Sequence, residues 1–221
     1  MLTNEFDKLS EKVKQRLDNS KTVCLTPDGW TDLNNTSFLA ATAHFIDEEE
    51  CKLKTYLLDC NEFAERHTAL NIGQWLRTLM DNFNISSEVC CIVTDNAANM
   101  KSAVRAADSA ETDVWAELDN DKNHSQIMFH SRTSNQIELD NYIAEPLAHR
   151  NDDPLEWWKM HKNKYPTIYQ LMLRDLCIPA SSVPCERIFS KAGDIETSKS
   201  NRLKPSKLNK ILFIKHNSSM D

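Results

Sequence analysis

The sequence predicts an α/β fold: a mixed sheet of three antiparallel strands with a parallel fourth, flanked by helices and followed by an α-helical C-terminal region. Three observations lead there. Residues 21–26, 36–46 and 51–59 are rich in β-branched and alternating apolar residues, and Asp47-Glu48-Glu49-Glu50 supplies a turn between the second and third runs. A segment with helical spacing comes next. Beyond it lies Val89-Cys90-Cys91-Ile92-Val93, a short continuous apolar run of the kind expected of a strand covered on both faces.

Each element has a local cause. Phe6, Leu9, Val13 and Leu17 recur at helical spacing, which describes an amphipathic N-terminal helix. Val23, Cys24 and Leu25 begin the first strand, expected to end at Pro27 because proline cannot continue a central ladder; Asp28 follows at once. Thr68 can cap a crossover helix whose Ala69, Ile72, Leu76, Leu79 and Phe83 form one apolar face. Residues 97–107 read as a further helix. From 108 to 150 neither period persists and charge is high, so a polar linker is expected there, with at most a short helix over 135–144. Asp153-Pro154 then opens a helix carrying Leu155, Trp157 and Trp158, and Tyr165-Pro166 breaks it. The next helix bears Ile168, Leu171, Met172 and Leu176 on one face.

Two late helices complete the chain. In the first, Pro184 suits an opening position, Glu186 sits in the first turn near the positive dipole end, and Gly193 is expected to stop it. The second, over 205–215, is apolar around most of its girth through Leu208, Ile211, Leu212, Phe213 and Ile214. It needs cover on two sides, as a buried core helix or as a subunit interface. The organisation expected is an N-terminal helix (1–20), a sheet-bearing core (21–107), a polar linker (108–150) and a helical C-terminal region (151–217).

Composition excludes several function classes. With only three glycines there is neither a dinucleotide-type glycine cluster nor a phosphate loop ending in Gly-Lys-Ser/Thr. The seven cysteines are odd in number, contain no Cys-x-x-Cys pair and mostly sit inside apolar runs. Reduced thiols acting as small hydrophobes are expected, and no zinc site. The N-terminus lacks an apolar signal core and no run approaches membrane-spanning length, so a soluble intracellular protein is expected, with no membrane partner. The net charge of −7 opposes autonomous binding to a polyanion, so DNA is expected to be held weakly by this chain alone. The charge is nevertheless segregated: between Arg187 and Lys215, eight basic residues face only Asp194 and Glu196, and Arg187, Lys191, Arg202, Lys204 and Lys207 are the candidates for phosphate contact.

Three acids stand out. Asp28 and Asp95 each follow an apolar strand-like run, and Glu186 lies on a late helix. Taken singly each reads as structural, since a first-turn Glu ordinarily serves its helix and polar strand ends are common. Taken together they resemble a cation cradle. Three carboxylates from distant parts of a chain could hold two Mg²⁺ ions about 4 Å apart, one activating a water and one stabilising the leaving oxygen of a phosphodiester.

At these residues the chain resembles the hAT transposase superfamily and its domesticated BED-finger relatives. The matching segments are Thr26-Pro27-Asp28-Gly29-Trp30-Thr31, Val93-Thr94-Asp95-Asn96-Ala97-Ala98-Asn99-Met100 and a long C-terminal block. That block runs from Asp153-Pro154-Leu155-Glu156-Trp157-Trp158 through Val183-Pro184-Cys185-Glu186-Arg187-Ile188-Phe189-Ser190 to Asn201-Arg202-Leu203-Lys204-Pro205 and the final helix. The resemblance implies an RNase H-like sheet on which Asp28, Asp95 and Glu186 form the metal-binding catalytic triad. It also implies a C-terminal dimerisation region, in which Trp157, Trp158, Leu208, Ile211, Leu212, Phe213 and Ile214 are the candidate contacts. Nuclear residence follows from it too.

The chain departs from that pattern in several ways. The BED-finger ligand set is missing, and 108–150 is too short for the family's fifth strand and helical insertion domain. Cys185 stands where relatives commonly have Ser, and Ser200 where a basic residue is usual. A missing fifth strand would leave the edge beside Asp95 unpaired. The expectation is therefore a transposase-derived nuclear protein that dimerises, with itself or with a full-length relative, without autonomous transposition. The alternative is an active Mg²⁺-dependent DNA-cleaving core.

Overall fold

The computed structural model describes residues 2–31, 35–95, 97–107, 133–195 and 204–218. Strands β1 (Val23–Thr31), β2 (Ser37–Asp47), β3 (Lys52–Glu62) and β4 (Val89–Ile92) form one sheet in the order β3-β2-β1-β4. β1 pairs antiparallel with β2 and parallel with β4, and β2 pairs antiparallel with β3. The mixed topology expected from the sequence is the one observed. The hairpin turn is built by Asp47, whose Oδ1 accepts from the backbone N–H groups of Glu49 and Glu50, while Cys51 takes a positive φ of 53° to close it.

β1 does not end at Pro27. It runs to Thr31, and Pro27 is the Cα partner of Ala41 on β2. The reason lies on the other side of the strand. The Leu25 carbonyl accepts from the Val93 N–H at 2.8 Å, so by alternation the Pro27 nitrogen also faces β4. Its missing donor halts the parallel ladder and leaves the antiparallel one intact. Among the described residues no strand follows β4, which stands at the edge of the sheet.

Helices α1 (Leu2–Asp18), α2 (Ala69–Asn82) and α3 (Ala98–Ala107) surround one side of the sheet. Val13 and Leu17 of α1, Leu79 and Met80 of α2, and Ala41, Ala43 and Phe45 of β2 share a buried cluster. Ile72 and Leu76 of α2 meet Leu39, Met100 and Ala103 in a second. On the opposite face, α7 (Val183–Ile195) and α8 (Pro205–Asn217) cover Phe38, Ala40, Leu57 and Cys60 with Cys185, Ile188, Phe189, Leu208 and Leu212. β2 is consequently buried from Phe38 to Ile46. α7 passes through Gly193 to Ile195. No glycine takes a positive φ, so Gly193 does not act as a stop.

α8 also seals the outer edge of β3. The Asn217 side chain accepts from the Leu57 N–H at 2.9 Å and donates to the Leu57 carbonyl at 2.9 Å. Two turns earlier, Asn209 accepts from the Cys60 N–H at 3.2 Å and donates to Asp59 at 3.0 Å. A carboxamide presents the same donor and acceptor as a peptide group, so the helix satisfies strand groups that would otherwise lie bare.

Chain packing divides the molecule into two compact units: Met1–Ala107 with Gln170–Asp221, and Asp108–Tyr169. The division falls inside the helical region expected over 151–217. In the second unit, α4 (Ser134–Ile143) starts with a capping box between Thr133 and Gln136, and α5 (Pro154–His161) is capped by Asp153, whose Oδ1 accepts from the Leu155 N–H at 2.9 Å. Helix α6 (Pro166–Asp175) follows. The short helix allowed over 135–144 is present as α4 and packs within this unit. Tyr142 of α4 stacks on Trp158 at 5.4 Å, Glu138 accepts from the Ile168 N–H at 2.8 Å, and Glu145 pairs with Lys164.

Candidate functional site

The parallel register places the two aspartates. Leu25 and Ile92 are Cα partners, and Asp28 and Asp95 each lie three residues beyond that pair, past the point where Pro27 halts the ladder. Asp28 is half-buried on β1, and its Oδ1 accepts from the Gly29 N–H at 2.8 Å. Asp95 is exposed in the turn before α3, with its Oδ1 accepting from the Ala97 N–H at 3.2 Å. Glu186 reaches the same neighbourhood from the first turn of α7.

Cys185 anchors that helix start. Its side chain is fully buried, and its Sγ donates to the carbonyl of Thr26 at 2.8 Å, two residues before Asp28. Behind it lies a closed polar network: the hydroxyls of Thr26 and Thr42 both meet His44 Nε2, at 2.9 and 3.0 Å, and His44 Nδ1 meets Thr55 at 3.1 Å. Trp30 stacks on Phe189 at 5.8 Å and ties β1 to α7 again. The buried seat accommodates the Cys185 thiol.

Asp28 lies within electrostatic reach of the other two acids. The Asp28 carboxyl is pushed above its usual range, first by burial and then by the negative charges of Asp95 and Glu186. Hydrogen bonds from the Gly29 N–H and the Ser182 hydroxyl oppose the rise. The Ser182 backbone carbonyl accepts from the N–H groups of Cys185 and Glu186, so the residue joins Asp28 to the helix that carries the third acid. Sequence reasoning passed over Ser182. The signal available was its place just before Val183-Pro184, where a hydroxyl residue serves a helix start.

An all-oxygen donor set suits magnesium, and the repulsion among these carboxylates is what a divalent cation would offset. Among the described residues, however, no three His, Cys, Asp or Glu side chains are grouped so as to hold a metal ion. The acids share an electrostatic neighbourhood without forming a closed ligand set.

The basic candidates are spread out. Arg187 is exposed next to Glu186, Lys191 is half-buried on α7, and Lys204 and Lys207 are exposed at the start of α8. Arg202 lies outside the described residues. Of the apolar candidates, Leu208, Leu212 and Phe213 are buried in the core of their own protomer, with Ile211 and Ile214 partly covered. Trp158 is buried and Trp157 half-buried in the aromatic cluster of the second unit. Exposed instead are Ile143 (71%), Leu147 (99%) and Met160 (74%). Ile143 and Leu147 line a cavity of about 500 Å³ floored by Tyr142, Trp157 and Trp158.

Comparison with known proteins decides the kinship. Residues 138–218 match the hAT family C-terminal dimerisation region, and residues 26–123 match the ZBED1 RNase-like domain. Over those two stretches the chain resembles hAT transposases and a BED-finger relative. Among its relatives, the Putative AC transposase of Zea mays is 30% identical over 100 residues, 45% of this chain and 12% of that protein. Zinc finger BED domain-containing protein 4 of Homo sapiens is 30% identical over 76 residues, 34% of this chain and 6% of that protein. The Transposable element Hobo transposase of Drosophila melanogaster is 41% identical over 54 residues, 24% of this chain and 8% of that protein. The matches therefore span about a tenth of these relatives' lengths. The chain is transposase-derived, and its residues 138–218 match a dimerisation region. No helix among the described residues is long and apolar enough to cross a membrane.

Proposed function

We propose that this hAT-derived protein is a nuclear dimerisation module that does not transpose by itself. The observation that carries the reading is the distribution of apolar surface within the matched dimerisation region. Ile143 and Leu147 stand in solvent around an aromatic floor and Met160 is exposed on α5, in a chain whose other late apolar helix is already packed on its own sheet. Large exposed apolar residues gathered on one small unit mark an association surface. The partner is a second copy or a longer relative with the same region.

Sedimentation of the purified chain at micromolar concentration should give a dimer. Ile143→Asp together with Leu147→Asp should convert it to monomer without changing its thermal transition, because neither side chain is part of the core. A wild-type chain that sediments as a monomer removes the proposal.

A second reading is supported by the mutual charge of the three acids. In it, Asp28, Asp95 and Glu186 would hold Mg²⁺, which polarises a phosphodiester, while Ser182 and Cys185 orient the acids and Arg187, Lys204, Lys207 and Arg202 contact the DNA backbone. Calorimetric titration with Mn²⁺ tests the site directly. Heat that disappears in Asp95→Ala supports it, and nicking of DNA by the wild-type chain alone would overturn the non-transposing reading. Absence of both heat and nicking leaves the acids as inherited residues.

A further inference from the structure

Four of the seven cysteines meet where β1, β4 and the segment after α6 come together, an arrangement invisible in their spacing. Cys24 of β1 and Cys91 of β4 are Cα partners on adjacent parallel strands, and their thiols are hydrogen-bonded. Cys90 is exposed on β4, and Cys177 is fully buried just beyond α6. The thiols of Cys90 and Cys177 share one acceptor, the Arg174 carbonyl, at 3.8 and 3.1 Å, and the single Cys177 proton is shared between that carbonyl and the Cys90 sulfur. A register shift explains how neighbouring residues find different partners. The ladder passes from Val23–Val89 directly to Cys24–Cys91, so Cys90 is the extra residue of a bulge, the device that re-aims a side chain.

We propose that Cys90 and Cys177 are a reversible dithiol–disulfide couple, with Cys90 as the attacking sulfur and a peroxide as oxidant. Cys90 is solvent-facing and its thiol is held down to about 7, chiefly by the hydrogen bond from Cys177. Burial opposes that shift, the Arg174 guanidinium assists it, and Asp175 opposes it. Burial pushes Cys24 and Cys91 up, which leaves that pair inert.

In the first step the Cys90 thiolate attacks a peroxide oxygen, the O–O bond breaks, Cys90 becomes a sulfenic acid, and the departing hydroxide takes up the proton the thiol had released and leaves as water. In the second, the Cys177 sulfur attacks Cys90, the S–O bond breaks, and hydroxide departs with the Cys177 proton as a second water. Two thiols have then lost two electrons and two protons, and the peroxide has become water. A small dithiol reverses the bond by exchange. The link would tie β4, five residues before Asp95, to the segment that enters α7 with Glu186, and so fix the two arms of the acidic site to each other.

The test uses the whole chain with a slight excess of hydrogen peroxide, followed by alkylation and peptide mapping without reductant. A Cys90–Cys177 peptide pair, lighter by two hydrogens and restored by dithiothreitol, is expected. Cys90→Ser should slow peroxide-dependent thiol loss at neutral pH by about tenfold or more. Cys177→Ala should leave a sulfenic acid at Cys90 that dimedone traps. Should the buried Cys177→Ala variant fail to fold, the map of the unmutated chain still decides. A Cys24–Cys91 link forming first overturns the proposal. So does Cys90 over-oxidised beside an alkylatable Cys177, or one equivalent of tightly bound zinc that shields all four thiols from peroxide.

Discussion

α8 and the α4–α5 segment both fall in the matched dimerisation region, and both carry large apolar side chains, yet they treat them in opposite ways. α8 lays Leu208, Leu212 and Phe213 into the cores on both sides of β3, while Ile143 and Leu147 next to α5 stay in water. An apolar helix is therefore no guide to an interface until its own sheet has taken its share. The polar residues of α8 give the distinction, because Asn209 and Asn217 place their amides on β3 backbone as only a helix belonging to the sheet can.

The contrast can be broken at its strongest point first. Phe213→Ala should cost roughly 3–5 kcal/mol in urea unfolding, since Phe213 is fully buried and packs tilted against Phe6 at 4.8 Å. A loss under about 1 kcal/mol would mean that α8 is not part of the fold. Acid should act next, and again on the sealed region. Burial, with His216 nearby, lowers His44 to about 4, below its unfolded value of 6.5. The neutral form is thus the folded one: stability is full above about pH 6.5 and falls as pH drops toward 4, by roughly 3 kcal/mol for His44. Thermal midpoints between pH 7 and 4 will show it, and His44→Gln should flatten the slope.

Asn217→Ala ranks third. It strips both partners from the Leu57 peptide, for an expected loss of about 2 kcal/mol, while Asn217→Gln should recover little because its amide is displaced by a methylene. Smallest of all, Leu147→Ser should change stability by less than about 0.5 kcal/mol, given its 99% exposure, yet weaken dimerisation by about tenfold. If it destabilises as much as Phe213→Ala, the two segments do not differ as described.

Strand order, the hairpin turn, the crossover helix and the two aspartates could all be read from period and punctuation, because binary pattern and Asx chemistry are local. Three features were not. Pro27 reads as a strand end, since one sequence does not reveal which edge a missing N–H faces; the halted β4 ladder supplies that fact. The docking of α4 is hidden, although the pattern allows a short helix over 135–144, because its anchors are Glu138, Tyr142 and Glu145 rather than an apolar stripe. The meeting of Cys90 with Cys177, and of Ser182 with Asp28, joins residues more than eighty positions apart and leaves no trace in spacing. Glu186, by contrast, was singled out because its motif is specific, although a first-turn carboxylate on its own says little.

The two asparagines that α8 sets on β3 have a consequence for how copies of this chain can join. A long marginal strand is usually a template on which a second molecule can zip its own main chain, and growth by that route has no natural stopping point. Here the Leu57 peptide and the Cys60 N–H are already engaged from within, and the opposite margin is a strand of only four residues. Pairing through side chains on the helices can close and end; pairing through the main chain, the road to fibres, is stoppered at its longer side.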